Sequence, residues 1–157
     1  MKKIYAINGS PRRNANTAIV LEHALKGAAE AGAATELIHL VDLHFGGCLS
    51  CFACKLKGGP SYGRCVIKDD LRAVLDKLAD ADGLILGSPI YLGGESSLMR
   101  AFMERLFFPV IRYDAAGTSL VKKKCPVALV YTMNVSREQM GDFGFEEQFG
   151  MSRLLVK

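Results

Sequence analysis

The feature that most constrains the fold is a short apolar run with no alternation, GLILG at residues 83 to 87. A strand wetted on one face alternates apolar and polar residues, so an unbroken run of this length belongs to a strand buried on both faces. Three other segments read as strands: KIYAIN (3–8), TELIHLV (35–41) and PVALVY (126–131). Helical patterns lie between them. From Thr17 to Ala31, Ala18, Leu21, Leu25, Ala28 and Ala29 share one face and Gly32 ends the helix, with capping by Asn16 or Thr17 belonging to the alternative reading of the loop before it. Behind Asp69 or Asp70, the expected cap of a second helix, Leu71, Val74, Leu75 and Leu78 recur at i, i+3, i+4 and i+7. A third helix is expected over Ser97 to Phe107. Strands alternating with helices of this kind specify βαβ units, hence an α/β, doubly wound parallel sheet with helices on both faces.

At 157 residues, without repeats or long linkers, the chain has the length of one domain. Only 26 residues follow Tyr131, and FEEQFGMSRLLVK reads as a helix rather than a strand. A doubly wound sheet ordinarily continues with helix, strand and helix, so this one is expected to end before its fifth strand. PVALVY would then be an exposed apolar edge. Truncation is the favoured explanation, with completion by a partner chain or a domain swap as the alternative.

A net charge of +4 admits an anionic cofactor or acidic partner without demanding nucleic acid. Tryptophan is absent and the other aromatics are scattered, so no ribbon for single strands is formed. The first apolar run, Ile4 to Ile7, is too short for a signal peptide, and no window has the length to span a bilayer. A cytoplasmic location with reduced thiols is therefore expected. The odd fifth cysteine, Cys125, agrees with the absence of a disulfide framework.

In open α/β sheets ligands bind beyond the carboxyl ends of the strands. The first such loop, NGSPRRNANT (8–17), is neither a P-loop nor Gly-x-Gly-x-x-Gly. It gathers Ser10, Arg12, Arg13, Asn14, Asn16 and Thr17 at a helix N-terminus, which suits a phosphate; a capped polar turn is the alternative. The loop after the third strand, GSPIYLGGESS (87–97), is shaped by Pro89, Gly93 and Gly94 and presents Tyr91 and Leu92. It suits a planar heteroaromatic ring, against a plain turn with Tyr91 packed on the sheet. Thr132 and Asn134 in TMNVS could reach the same ligand. His23, His39 and His44 lack partner patterns and read as structural or solvated.

Four of the five cysteines lie in GCLSCFACKLKGGPSYGRC (47–65). Cys48, Cys51 and Cys54 form C-x2-C-x2-C, and Cys65 follows after ten residues. The triplet is the opening of ferredoxin-type clusters. Zinc usually takes two pairs, and free or redox-active thiols are the third reading. The glycines at 46, 47, 58, 59 and 63 would let the backbone turn tightly. Cys125, entering a strand, reads as a small apolar filler rather than a thiol activated by its lysine neighbours. Lys122 to Lys124 read as a solvated turn, with docking of an acidic electron-transfer partner as the alternative.

GSPRRNANT, GSPIYLGGESSLMRAFMER and CVIKDDL together resemble the flavodoxin-like NAD(P)H-dependent FMN reductases, and more narrowly the iron-sulfur flavoproteins, over residues 3 to about 134. The resemblance implies that Ser10, Arg12, Asn14, Asn16 and Thr17 hold the FMN phosphate. Pro89, Ile90, Tyr91, Leu92, Gly93 and Gly94 would line the isoalloxazine, with Thr132 and Asn134 nearby. Cys48, Cys51, Cys54 and Cys65 would ligate a [4Fe-4S] cluster, although the last gap is usually shorter in that family. Residues 1–157 would form one FMN-binding domain with a cysteine-rich loop at 46–66. Electrons would pass between cluster, FMN and an external partner such as a ferredoxin, a nicotinamide (NAD(P)H) or a quinone, in a homodimer or homotetramer. A clusterless NAD(P)H-dependent FMN or quinone reductase is the alternative, and a flavin-free binding or thiol-sensor module is a third.

Overall fold

β1 (Lys3–Asn8) is the central strand of a parallel sheet in the computed structural model, which describes residues 1–112, 119–121, 123, 125–145, 149, 150 and 152. It pairs with β2 (Ala34–His39) on one side and with β3 (Gly83–Tyr91) on the other. β3 in turn pairs in parallel with β5 (Val127–Thr132), while the two-residue β4 (Gly94–Glu95) folds back antiparallel on the end of β3. The helices are α1 (Asn16–Glu30), α2 (Asp70–Leu78), α3 (Ser97–Phe107) and the short α4 (Arg137–Asp142). The parallel order β2-β1-β3-β5 is that of the flavodoxin-like fold, and strand order reverses between β1 and β3.

Strand periodicity divides the core. Tyr5 and Ile7 of β1, with Leu84 and Leu86 of β3, meet Leu71, Val74 and Leu78 of α2 and Met99, Phe102 and Met103 of α3. Ala6, between them in sequence, faces the other way onto Leu21 and Leu25 of α1. The expected elements are found within a few residues, with one extension: β3 continues past Gly87 to Tyr91. Pro89 is tolerated because the β1 ladder has already ended at Asn8 and Gly87.

The expected cap of α2 is corrected, and the capping by Asn16 or Thr17 in the alternative reading of the first loop is not found. Ala15, which has no capping side chain, precedes α1, and Asn16 and Thr17 lie inside the helix. Asp69 precedes α2 but makes no capping bond, because Arg105 takes its carboxylate; Asp70 Oδ2 accepts the His44 N–H at 2.8 Å. Ala29, expected on the buried face of α1, is exposed. Of the segment read as a final helix, the described residues 145, 149, 150 and 152 are helical, and the remainder lies outside the described residues. Among the described residues no strand follows β5. Most of β5 is nevertheless half-buried, and Phe149 stacks on Tyr131 with centroids 4.5 Å apart.

The switch point is tightly packed. Gly9 N–H donates to Gly87 O at 2.8 Å, and a Cβ on Gly9 would lie 2.7 Å from Met99 Cβ, the rigid root of a helical side chain. Gly9→Ala should therefore destabilise the protein by about 1–3 kcal/mol in urea unfolding, whereas a change below about 0.5 kcal/mol would show that α3 yields freely.

Candidate functional site

The loops after β1, β3 and β5 rise at the same end of the sheet because the strands are parallel and in register. Asn8 pairs with Gly87, and Pro89 pairs with Thr132. Ser10 is buried; its N–H donates to Asn8 Oδ1 at 3.0 Å, and its Oγ accepts the Arg12 N–H at 3.1 Å. These two bonds curl the loop into a tight turn. Thr17 is also buried, and its hydroxyl meets that of Thr132 at 2.7 Å, joining the first and last loops. Arg12, Asn14 and Asn16 are exposed around the start of α1, where no side chain caps the helix. Uncapped first-turn N–H groups and the positive end of the helix dipole favour an anion at this point. Arg13 turns away, paired with Asp42 at 2.6 Å.

The expected ring loop is a β-hairpin. Tyr91 pairs with Gly94, and Leu92 (φ 49°) and Gly93 (φ 82°) form the two-residue turn. Glycine takes such a φ readily and leucine does not, so the turn holds Leu92 in a costly conformation with its side chain wholly in solvent. Tyr91 is half exposed. Pro89 is buried at the strand end, and Ile90, Gly93 and Gly94 are half-buried. Asn134 is exposed in the segment leading to α4, and the structure does not draw it to the other loops as it draws Thr132.

Cys48, Cys51, Cys54 and Cys65 line one cavity, together with Glu104 and Arg105 of α3 and a largely apolar wall. The turn that brings them there places Ser50 (φ 50°) and Phe52 (φ 56°), the residues flanking Cys51, in the left-handed region. The Ser50 N–H points at Cys48 Sγ (3.5 Å), and Arg105 Nε–H points at Cys65 Sγ (3.4 Å). All five cysteines are free thiols. Burial pushes the Cys54 thiol up. Among the described residues no group of three or more His, Cys, Asp or Glu side chains is gathered closely enough to hold a metal ion. Cys125 packs at the border of the core and its thiol is raised by burial, as befits an apolar filler. Lys123 pairs with Asp82 at 2.7 Å, while Lys122 and Lys124 lie outside the described residues.

Three groups escaped the sequence reading. Arg105, 2% exposed, is held by Asp69 through both carboxylate oxygens, at 2.5 and 2.8 Å. Those bonds hold the Asp69 carboxyl below its ordinary range. Glu104 Oε2 accepts the Cys48 N–H at 3.1 Å. Glu95 is enclosed at the base of the hairpin, accepting hydrogen bonds from Tyr131 (2.9 Å) and Ser152 (2.5 Å), with Arg100 at 3.7 Å. Burial works to raise its pKa, but these donors and the arginine bring it below the ordinary value. The one sequence signal for Arg105 is its place at the end of GSPIYLGGESSLMRAFMER, the segment that resembles the family.

A parallel sheet in this order, with loops gathered at its switch point, defines the flavodoxin-like class of α/β folds. Within it, the NADPH-dependent FMN reductase family matches residues 2–141, and the chain belongs to that family. An iron-sulfur flavoprotein of Methanocaldococcus jannaschii is 42% identical over 103 residues, covering 66% of this chain and 51% of that protein. One from Archaeoglobus fulgidus is 37% identical over 103 residues, covering 66% and 48%. The chain thus spans about half the length of the curated relatives it matches. Among solved structures, an NAD(P)H:quinone oxidoreductase from Methanothermobacter marburgensis superposes with a TM-score of 0.78 over 98% of this chain and 77% of that one. At 17% identity it speaks for the fold alone. No helix among the described residues is long and apolar enough to cross a membrane.

Glu95 yields a pH prediction. A carboxylate whose folded pKa lies below its ordinary value, 4.5, contributes stability that is complete above that value and lost as pH falls through the folded one. Wild type should therefore exceed Glu95→Gln in urea midpoint at neutral pH, and the gap should narrow in acid below 4.5. A gap independent of pH would show that the charge contributes nothing.

Proposed function

We propose that this chain is an FMN-dependent redox protein of the iron-sulfur flavoprotein type, passing electrons between a [4Fe-4S] cluster, FMN and an external donor or acceptor. The observation that carries this reading is the convergence of all four clustered cysteines on one cavity against α3, the helix that begins at the ring loop. Four thiols, an apolar wall and N–H groups aimed at two of the sulfurs are the donor types a cubane cluster takes, and the thiols, which line the cavity without being gathered to ligating distance, would have to close on it. At the other site, an uncapped helix start beside Ser10 and Arg12 suits a phosphate, and the half-exposed Tyr91 beside Leu92 suits a flat ring.

In this assignment Ser10, Arg12, Asn14, Asn16 and Thr17 hold the phosphate. Pro89 to Gly94 bear the ring, with Thr132, whose hydroxyl meets that of Thr17, and Asn134 nearby. Cys48, Cys51, Cys54 and Cys65 hold the cluster. FMN stores two electrons and the cluster exchanges one, which is the redox chemistry the protein itself lacks. The residues of the chain bind, orient and screen from water; none is assigned a proton transfer. NAD(P)H, a quinone or a redox protein is the external partner, and a cytoplasmic location, where thiols stay reduced, suits the cysteine-rich loop. The exposed Leu49, Phe52 and Leu56 beside the cysteines support burial in a homodimer or homotetramer. The second reading, a clusterless NAD(P)H-dependent FMN or quinone reductase, draws on the ten-residue gap before Cys65.

Anaerobic purification with flavin extraction and assays of iron and acid-labile sulfide separates the two. About four irons and four sulfides per chain beside FMN are expected, and FMN without iron after reconstitution selects the clusterless reductase. The double variant Cys48→Ser, Cys51→Ser should lose its iron and keep its flavin. Arg12→Ala should weaken FMN binding roughly tenfold, about 1.4 kcal/mol, in a fluorescence titration, and unchanged affinity would remove Arg12 from the phosphate site.

A further inference from the structure

We propose that the last turn of α3 is the template that registers the first and the fourth cysteine, with Glu104 fixing the backbone at Cys48 and Arg105 fixing the sulfur of Cys65. The proposal rests on the cluster reading above and adds to it two positioning residues.

The difficulty it resolves lies in the sequence. Cys48, Cys51 and Cys54 are spaced closely enough for one local turn to align them, whereas ten residues separate Cys54 from Cys65. Local bonds fold the intervening loop back, with Gly63 N–H donating to Cys54 O at 2.9 Å, and Arg72 Nη1 donates to Cys65 O at 2.7 Å, but these fix backbone and leave the Cys65 side chain unset. Arg105 reaches that sulfur from outside the segment. Its Nη1 donates to Gly46 O at 3.1 Å and to Asp69 Oδ2 at 2.5 Å. Its Nη2 donates to Asp69 Oδ1 at 2.8 Å and to Ile67 O at 3.5 Å, and its Nε to Cys65 Sγ at 3.4 Å. Gly46 lies two residues before the first cysteine, and Ile67 lies two after the last. One guanidinium therefore grips both ends of the cysteine segment and one of its sulfurs. The neighbouring Glu104 accepts the N–H of Cys48 itself at 3.1 Å. The planar fork of arginine reaches all these acceptors from one position, which the single amine of lysine does not. Asp69 offsets the buried charge and leaves the Nε–H to the sulfur.

A donor aimed at a ligand sulfur also raises the reduction potential of a cluster. The test uses the whole chain reconstituted anaerobically as wild type, as Arg105→Lys, and as the double variant Arg105→Gln, Asp69→Asn, which removes both charges together. Iron and sulfide per chain, FMN content, thermal unfolding and the cluster midpoint potential by EPR-monitored titration are measured on each. Both variants are expected to keep FMN, to hold less iron, and to show a more negative potential in the molecules that carry a cluster. Reduced iron at an unchanged potential would mean that Arg105 is only structural, and wild-type iron and potential would remove it from the site; either result overturns its role. If both variants fail to fold, Glu104→Ala on the exposed face tests the template: lower iron with unchanged FMN and melting is expected, and wild-type loading overturns it. A wild type that takes up no iron sinks the cluster reading and this proposal with it, an outcome read in a different sample from the variant results.

Discussion

A buried guanidinium is the constraint around which the candidate site is arranged. Removing a charge from water costs several kcal/mol unless every donor finds an acceptor, so the position of Arg105 dictates its surroundings. Asp69 must give up capping α2 to pair with it, and the Gly46 and Ile67 carbonyls must turn inward. The cysteine segment between them is thereby tied to the end of α3. Lys55 adds a second tie from inside the segment: its amine donates to the carbonyls of Phe108 and Ile111 and lies 4.4 Å from the centroid of the Phe108 ring. A long glycine-rich loop is thus held against a rigid element rather than left to its own weak preferences.

The same helix serves the other site. At its start, Ser96 Oγ accepts the Met99 N–H and donates to Gly9 O at 2.6 Å, linking the helix cap to the loop that follows β1. Ser88 Oγ accepts the Ser96 N–H at 3.0 Å, which anchors that cap to the end of β3. Its 11 residues span roughly 16 Å from the ring loop to the cysteine cavity. Phe102, fully buried midway along it, fixes the helix on the sheet. A change that shifts α3 would therefore disturb both sites together, which is a packing reason for the closeness of fit at Gly9.

Much of the fold was legible because burial imposes period. Unbroken runs marked strands covered on both faces, and i, i+3, i+4 spacing marked α2 correctly through Leu71, Val74 and Leu78. The errors fell where a local rule met a tertiary demand. Asp69 has the right type and place for a cap, yet a buried cation outcompetes the helix for its carboxylate. The hairpin tip is not legible in the sequence because leucine rarely adopts the φ of 49° that Leu92 holds. The cysteine triplet was visible as spacing, while Arg105 was hidden: a charge in an amphipathic helix ordinarily faces water, and no periodicity separates the exception.

The sequence alone determined what repeats along the chain: strand and helix periods, the polar and ring-sized loops, and three cysteines close enough for one turn to align. Only the tertiary structure decided which of these meet. Thr17 and Thr132 touch across 115 positions, and Arg105 reaches Cys65 across 40. Such pairings follow from strand order, register and the burial of a charge, which depend on the whole chain packing at once, whereas periodicity reports only the environment of each segment by itself.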